Sequence, residues 1–343
     1  MTQIARNPSS VTISPLEAEW QDRRKKRLMN ILGKGLPTLP SYLLDLNAQL
    51  SSPAVDLKKV AKIIRTDPSL SAQVLRLCNS ALFGLRRRVL SIEQAAVLLG
   101  TERLRTLVLT CAVMRFAGKH VPVNSLLGFW QHSFLSALLC ERVARVVDYM
   151  EAEQAYLGGL LHDIGQLPLW MLVMEEAARQ KPLPPDNWVD NIPVERDYFG
   201  MDHGKVGRWM AVAWNFMPSF MDVFENHHDP SHAQHDPYLV GIVSSVDVFL
   251  GTQEVPEVDL SAEEQPFTTP EAVPEAAEPF PAAEGEVPAF LVQCFPSRSD
   301  DVRREVLETL QTEYIHVLPL VQLGLAAVAP WTGLDPNATQ EKK

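Results

Sequence analysis

The apolar residues of this chain recur at helical spacing along most of its length. Leu70, Val74, Leu75 and Cys78 fall on one helical stripe, and Leu104, Leu107, Val108 and Cys111 form another. No segment alternates apolar and polar residues for long, and the run Leu107-Val108-Leu109 is too short to argue for a strand. Start and stop signals agree with this pattern. Asp67-Pro68 sets a capping residue before a proline at the first helical position. Ser91 and Gln94 have capping-box spacing, Gly100 is placed to end that helix, and Thr101 can cap the next. Further helices are predicted over about Leu126–Tyr149 and Glu151–His162, near Val194, and over Gly204–Trp214, Ser219–His228 and Tyr238–Phe249. Near the end, Asp300–His316 carries Val302, Val306, Leu307, Leu310 and Tyr314 on one face. Its opening Asp300-Asp301 suits the positive end of the helix dipole. The expected fold class is all-α.

Breaks in the pattern divide the chain. Residues 1–16 read as a disordered tail, and Leu36-Pro37-Thr38-Leu39-Pro40 forces an extended turn, because each proline restrains the residue before it. Residues 17–122 read as one helical subdomain and 123–250 as a second helical domain. Residues 251–289 are a Pro/Glu/Ala-rich linker, 290–331 a C-terminal helical segment, and 332–343 a disordered tail. The apolar stretch Leu318–Val328 needs a covering surface, which is expected to be the folded body or a second protomer.

Composition sharpens this division. The net charge of the 343 residues is −11, but residues 251–288 hold ten Asp or Glu and no Lys or Arg, so the remainder carries −11 − (−10) = −1. The acidity belongs to a self-repelling linker, and the nearly neutral body gives no general attraction to nucleic acid. Cys78, Cys111, Cys140 and Cys294 are far apart and form no CxxC pair, as expected of reduced thiols in a cytoplasmic protein. The first twenty residues lack an apolar core of signal-peptide length. No apolar stretch approaches the roughly 20 residues that cross a bilayer. The expectation is a soluble, cytoplasmic protein without membrane contact. The basic run Arg23–Arg27 is read as a solvated helix face or a dock for the acidic linker, and Arg86-Arg87-Arg88 as a solvated loop. Trp130, Trp170 and Trp214 are read as core aromatics.

Candidate chemistry is concentrated in residues 123–250. The apolar run Gly158-Gly159-Leu160-Leu161 ends in His162-Asp163, with Gly165 two residues later. In mid-helix, adjacent side chains diverge by about 100°. At a helix end the backbone can relax and bring both to one site. His132, His203, His227, His228 and Asp247 flank the pair, and imidazole with carboxylate suits Fe, Mn or Zn. Each residue also has a plainer reading. His162-Asp163 can be a structural pair, His132 a satisfied core histidine, His203 a solvent-facing loop residue, and Asp247 a partner of a nearby base. Adjacency suggests that only one of His227 and His228 points inward.

In its ordered set His132, His162-Asp163, Asp247, the chain resembles the HD metal-dependent phosphohydrolase superfamily. His203, His227 and His228 are similar to the extra histidines of its two-metal members. The segments LPTLP, DPSLSAQVLRLCNSALFG, SIEQAAVLLG, FWQHS and GGLLHDIG, with spaced Glu195, Gly200, His203, Gly207 and Trp214, resemble the HDOD family from about Leu36 to Phe249. The resemblance implies an N-terminal helical subdomain packed on an HD-like helical domain. It also implies a bacterial signal-transduction output or scaffold role through protein–protein contacts with other signalling proteins, in a family usually regarded as lacking demonstrated catalysis. A homodimer and a nucleotide second messenger are compatible partners. One or two divalent ions would be held as follows: His132, His162, Asp163 and Asp247 for the first, with Asp163 bridging to a second on His203 and His227 or His228. The alternatives are a metal-dependent phosphohydrolase acting on a nucleotide or cyclic dinucleotide, and a nucleotide sensor without turnover. The chain departs from the cyclic-di-GMP phosphodiesterase branch, the HD-GYP proteins. Asp229-Pro230 follows His227-His228 in place of the Glu and the Gly-Tyr-Pro signature, and Gln166 stands where that branch has lysine. These departures weigh against cyclic-di-GMP hydrolysis but leave every ligand position occupied.

Overall fold

The computed structural model describes residues 22–30, 57–258 apart from 86 and 122, and 287–332. The expected disordered tails, the LPTLP turn and most of the acidic linker lie outside the described residues. Among those residues every regular element is helical. The order is α1 (residues 22–30), α2 (Leu57–Arg65), α3 (Pro68–Cys78), α4 (Ile92–His120), α5 (Val123–Val146), α6 (Ala152–Leu161), α7 (Gln166–Ala178), α8 (Ile192–Phe199), α9 (His203–Ala213), α10 (Pro218–Asn226), α11 (Pro237–Leu250), α12 (Ala289–Cys294) and α13 (Asp300–Thr332).

Local signals explain most of these boundaries. The Asp67 carboxylate accepts from the Leu70 N–H at 3.0 Å, with Pro68 inside the first turn of α3. Its other oxygen pairs with Arg115 of α4 at 2.6 Å, so one residue both starts a helix and ties it to the next. Ser91 caps α4 by accepting from Gln94 N–H. Gly100 interrupts α4 at φ 72°, a left-handed conformation that favours glycine, and the chain resumes a helix beyond it. Helix α7 has no counterpart in the sequence reading. Its first turn contains Pro168, and proline is tolerated there because the first N–H groups of a helix have no partner within it.

A single apolar core runs from Leu28 of α1 to Leu325 of α13. Helices α5 and α6 pack side by side, α11 lies across both, and α13 runs along α5 towards α3. The C-terminal segment is therefore covered by the folded body, with Val306, Leu310, Tyr314, Val317, Val321 and Leu325 buried. Arg303 fixes its start. The guanidinium, nearly enclosed, donates to the Phe295 carbonyl at 2.8 and 3.1 Å and to the Pro296 carbonyl at 3.1 Å. Arg303→Ala leaves these carbonyls without donors and is expected to cost about 2 kcal/mol, seen as a lower urea midpoint. An unchanged midpoint would show that water serves them as well.

The basic run near the N-terminus differs from its expected role. Arg24 and Leu28 are buried, and the Arg24 guanidinium lies 3.6 Å from the centre of the Tyr198 ring while donating to the Tyr198 carbonyl at 3.2 Å. Arg27 pairs with Glu176 of α7, itself buried. Positions 24, 27 and 28 form one helical face, and that face seats α1 on α7 and α8. Only the opposite side, with Lys25 and Lys26, is exposed. Arg87 and Arg88 are exposed, as expected of a loop, and Arg86 lies outside the described residues. Trp130 and Trp214 are buried, and the half-buried Trp170 packs on Trp188.

Candidate metal centre

Two helix interiors and three helix ends deliver the seven His and Asp residues to one point. His132 projects from the middle of α5, and Asp247 from α11. His162 is the C-terminal cap of α6, and Asp163 follows in the turn that leads to α7. His203 opens α9, and His227-His228 close α10. Gly165 makes the convergence possible. A Cβ there would lie 1.9 Å from the His203 carbonyl oxygen and 2.6 Å from the Gly207 nitrogen, so only glycine lets the His162-Asp163 turn meet α9.

The side chains form two groups. In the first, His132 Nε2 lies 3.2 Å from His162 Nε2 and 3.3 Å from Asp247 Oδ1. In the second, His203 Nε2 lies 3.2 Å from His227 Nε2 and 3.0 Å from His228 Nε2. Asp163 stands between them. Its Oδ1 is 3.2 Å from His203 Nε2 and 3.4 Å from His227 Nε2, whereas its Oδ2 is 3.5 Å from His162 Nε2 and 3.7 Å from His132 Nε2. Although buried, Oδ1 accepts no hydrogen bond of good geometry.

The outer ring nitrogens decide what the inner ones can do. His162 Nδ1 faces the Gly159 carbonyl at 2.7 Å, and His227 Nδ1 faces the Val223 carbonyl at 3.0 Å. A carbonyl only accepts, so each Nδ1 must donate, and each neutral ring turns the lone pair of Nε2 inward. His203 Nδ1 faces both Glu195 oxygens at 2.9 Å, the carboxylate–imidazole arrangement that orients metal-ligating histidines. Lone pairs a little over 3 Å apart repel unless a proton or a cation lies between them. The donor set, five imidazoles with two carboxylates, fits two ions of the Fe, Mn or Zn type.

Electrostatics show the same demand for positive charge. Burial pulls His162 down, but Asp163 and Asp247 outweigh it and hold the imidazole up at about 9. Burial likewise opposes charge on His203, and Asp163 with Glu195 overcomes it. Burial pushes Asp163 up, yet His162, His203 and His227 keep it well below the carboxylate range, as His132 and His162 do for Asp247. His227 goes the other way, to about 4, because burial and the neighbouring His228 both disfavour its charge. Without metal, protons held by His162 and His203 balance the carboxylates, and metal binding must displace them.

Several sequence readings change here. His203 is completely buried rather than facing solvent. His227 and His228 both turn inward, because α10 ends at Asn226 and both lie in the turn beyond it, with ring centres 4.2 Å apart. Asp247 does pair with nearby bases, and those bases are His132 and His162 of the cluster itself. Gln166 is buried and donates to Asp163 Oδ2 at 3.1 Å, so it orients the central carboxylate. The sequence suggested no role for Glu195, whose signal is its position eight residues before His203, one short helix away. Glu195→Gln is expected to weaken metal binding about 10–100-fold, measured by manganese titration. Unchanged affinity would assign Glu195 to folding alone.

The HDOD domain family model matches residues 36–230, more than half of the chain. This chain is a member of the HDOD family. An uncharacterized protein of Treponema pallidum (strain Nichols) is 25% identical over 230 residues, covering 64% of this chain and 43% of that relative. The HDOD chain thus spans less than half the length of that curated relative. In structure it is similar to an HDOD domain protein of unknown function from Geobacter sulfurreducens, with 21% identity, a TM-score of 0.59, and 88% of this chain and 98% of that one covered. It is also similar to a Marinobacter aquaeolei VT8 protein provisionally assigned to signal transduction, with 17% identity, a TM-score of 0.55, and 95% and 67% covered. At such identities the likeness establishes the fold. No helix among the described residues is long and apolar enough to cross a membrane.

Proposed function

We propose that this HDOD protein is a bacterial signal-transduction output module that works through protein–protein contacts and is built around a two-metal centre. The observation that carries the centre is Asp163, with one oxygen facing each group of inward Nε2 atoms. His132, His162 and Asp247 would hold one divalent ion, and His203, His227 and His228 the other, with Asp163 shared. Fe, Mn and Zn all suit these donors. Family membership and the likeness to the Marinobacter protein support the output role. On this reading the partners are other signalling proteins or a second copy of the chain, and the site of action is the cytoplasm.

A second reading, a metal-dependent phosphohydrolase acting on a nucleotide or cyclic dinucleotide, is favoured by one specific feature. His132 and His228 keep 28% and 29% of their side chains exposed, in a cluster whose other histidines have none. The centre is therefore open to a ligand at these two histidines. When bound, the metals would activate water and polarise a phosphate oxygen. The residues would hold that geometry fixed, and Gln166 would keep the Asp163 carboxylate in its bridging orientation. A sensor that binds a nucleotide without turnover would use the same opening.

The test is the metal content of anaerobically purified protein, compared with His162→Ala and Asp163→Ala. Stoichiometric metal in the wild type, lost in both variants, is the expected result, with fuller loading at pH 8 than at pH 6. A metal-free wild type that takes up no added ion would remove the centre. A metal-loaded protein inactive on a panel of nucleotides and cyclic dinucleotides supports the output role. Turnover lost with Asp163→Ala would move the assignment to the phosphohydrolase.

A further inference from the structure

Asp190 lies at the open side of the centre. Its Oδ1 is 3.1 Å from His228 Nε2 and 4.0 Å from His203 Nε2, and the side chain is 44% exposed. It belongs to the long loop between α7 and α8, whereas the other seven residues lie in helices or in the turns at their ends. Three features of that loop set its position. Two residues earlier, Trp188 is buried against Trp170 and Phe199, with ring centres 4.7 and 5.3 Å away. One residue later, Asn191 caps α8 by accepting from the Val194 N–H. Asp190 itself adopts a left-handed backbone at φ 55°, which aspartate tolerates better than most residues. The backbone on both sides is thus anchored, and the carboxylate is delivered to one place.

Charge gives this placement a purpose. Close to the first proposed ion lie Asp247 and one oxygen of Asp163. The second has three imidazoles, and of these carboxylates only the other oxygen of Asp163, which it shares, faces their Nε2 atoms; Asp247 meets this half only at His228 Nδ1, 3.6 Å away. A divalent ion in that half lacks an anionic ligand of its own.

We propose that Asp190 is that ligand, a loop-borne carboxylate that completes the second ion's shell from the open side. The inference rests on the two-metal reading above. As the most exposed of these residues, Asp190 is the one that a phosphate ester or another anion entering from solvent would displace. Anion binding and the second metal are then linked through a single side chain.

The experiment is manganese titration of the full chain by calorimetry, with electron paramagnetic resonance to count bound ions. Wild type, Asp190→Asn and the same-loop control Asp186→Asn are compared. Asparagine keeps the shape and tolerates the left-handed backbone, and metal-free melting temperatures confirm equal folding. The expected result is two binding steps in wild type and control. In Asp190→Asn the second step weakens at least about tenfold, as loss of one charged ligand requires, and the first is unchanged. Two steps of unaltered affinity in Asp190→Asn would overturn the role of Asp190 and leave the two-metal reading standing. A wild type that binds no manganese, or one ion only, would overturn both.

Discussion

Asp163→Ala is expected to abolish metal binding in both halves of the proposed centre at once. Its two oxygens face inward Nε2 atoms of both groups, whereas Asp247 meets the second group only at the Nδ1 of His228, so loss of Asp163 removes the ligand that both proposed ions would share. Single-histidine variants should instead weaken one half more than the other. The expected readout is a fall from two bound ions to none by plasma mass spectrometry. Stability measured in chelator separates this from a plain structural role. His162 and His203 owe their raised affinity for protons to Asp163 and its neighbouring carboxylates. Removing one member of a buried charged group costs about 3 kcal/mol even in metal-free protein. If the pair were structural only, the variant would show that stability loss while wild type held no metal. Retention of both ions by Asp163→Ala would refute the bridging assignment.

Gly165→Ala is the second large effect, and it acts through the backbone. The added methyl would sit 1.9 Å from the His203 carbonyl oxygen, a position occupied by main chain on both sides. Neither the α6–α7 turn nor the start of α9 can yield by rotating a side chain. The turn must move away from α9, and Asp163 moves away from His203 with it. We expect a loss of at least about 3 kcal/mol in chemical unfolding, at the upper end of overpacking costs. Metal that remains should show a weakened second site, because the displaced contact is the one between Asp163 and His203. A variant with wild-type stability and metal content would contradict the close approach.

Much of the fold was legible in the sequence because helix signals are local. Asp67-Pro68, Ser91 with Gln94, and Gly100 each act within four residues, and each works in the structure as its chemistry suggests. Helix α7 was missed because Pro168 reads as a breaker unless the helix start is already known. Arg24 and Arg27 looked solvated because a run of five basic residues has no visible partner in sequence. Their partners, Tyr198 and Glu176, lie about 150 or more residues away, and only packing brings them together.

The site divides in the same way. The sequence by itself determined the candidate ligand types, their order and the family resemblance, because those depend on residue identity and spacing. It also localised the acidity to the linker, through composition alone. Only the tertiary structure decided that both His227 and His228 face inward, that His203 is buried and held by Glu195, and that Asp163 directs one oxygen to each group. Asp190 was invisible beforehand, since nothing in its local sequence marks a ligand. The physical reason is common to all of these. A ligand's direction is set by where helices end and how closely they pack, and those are relations between segments that sequence spacing does not contain.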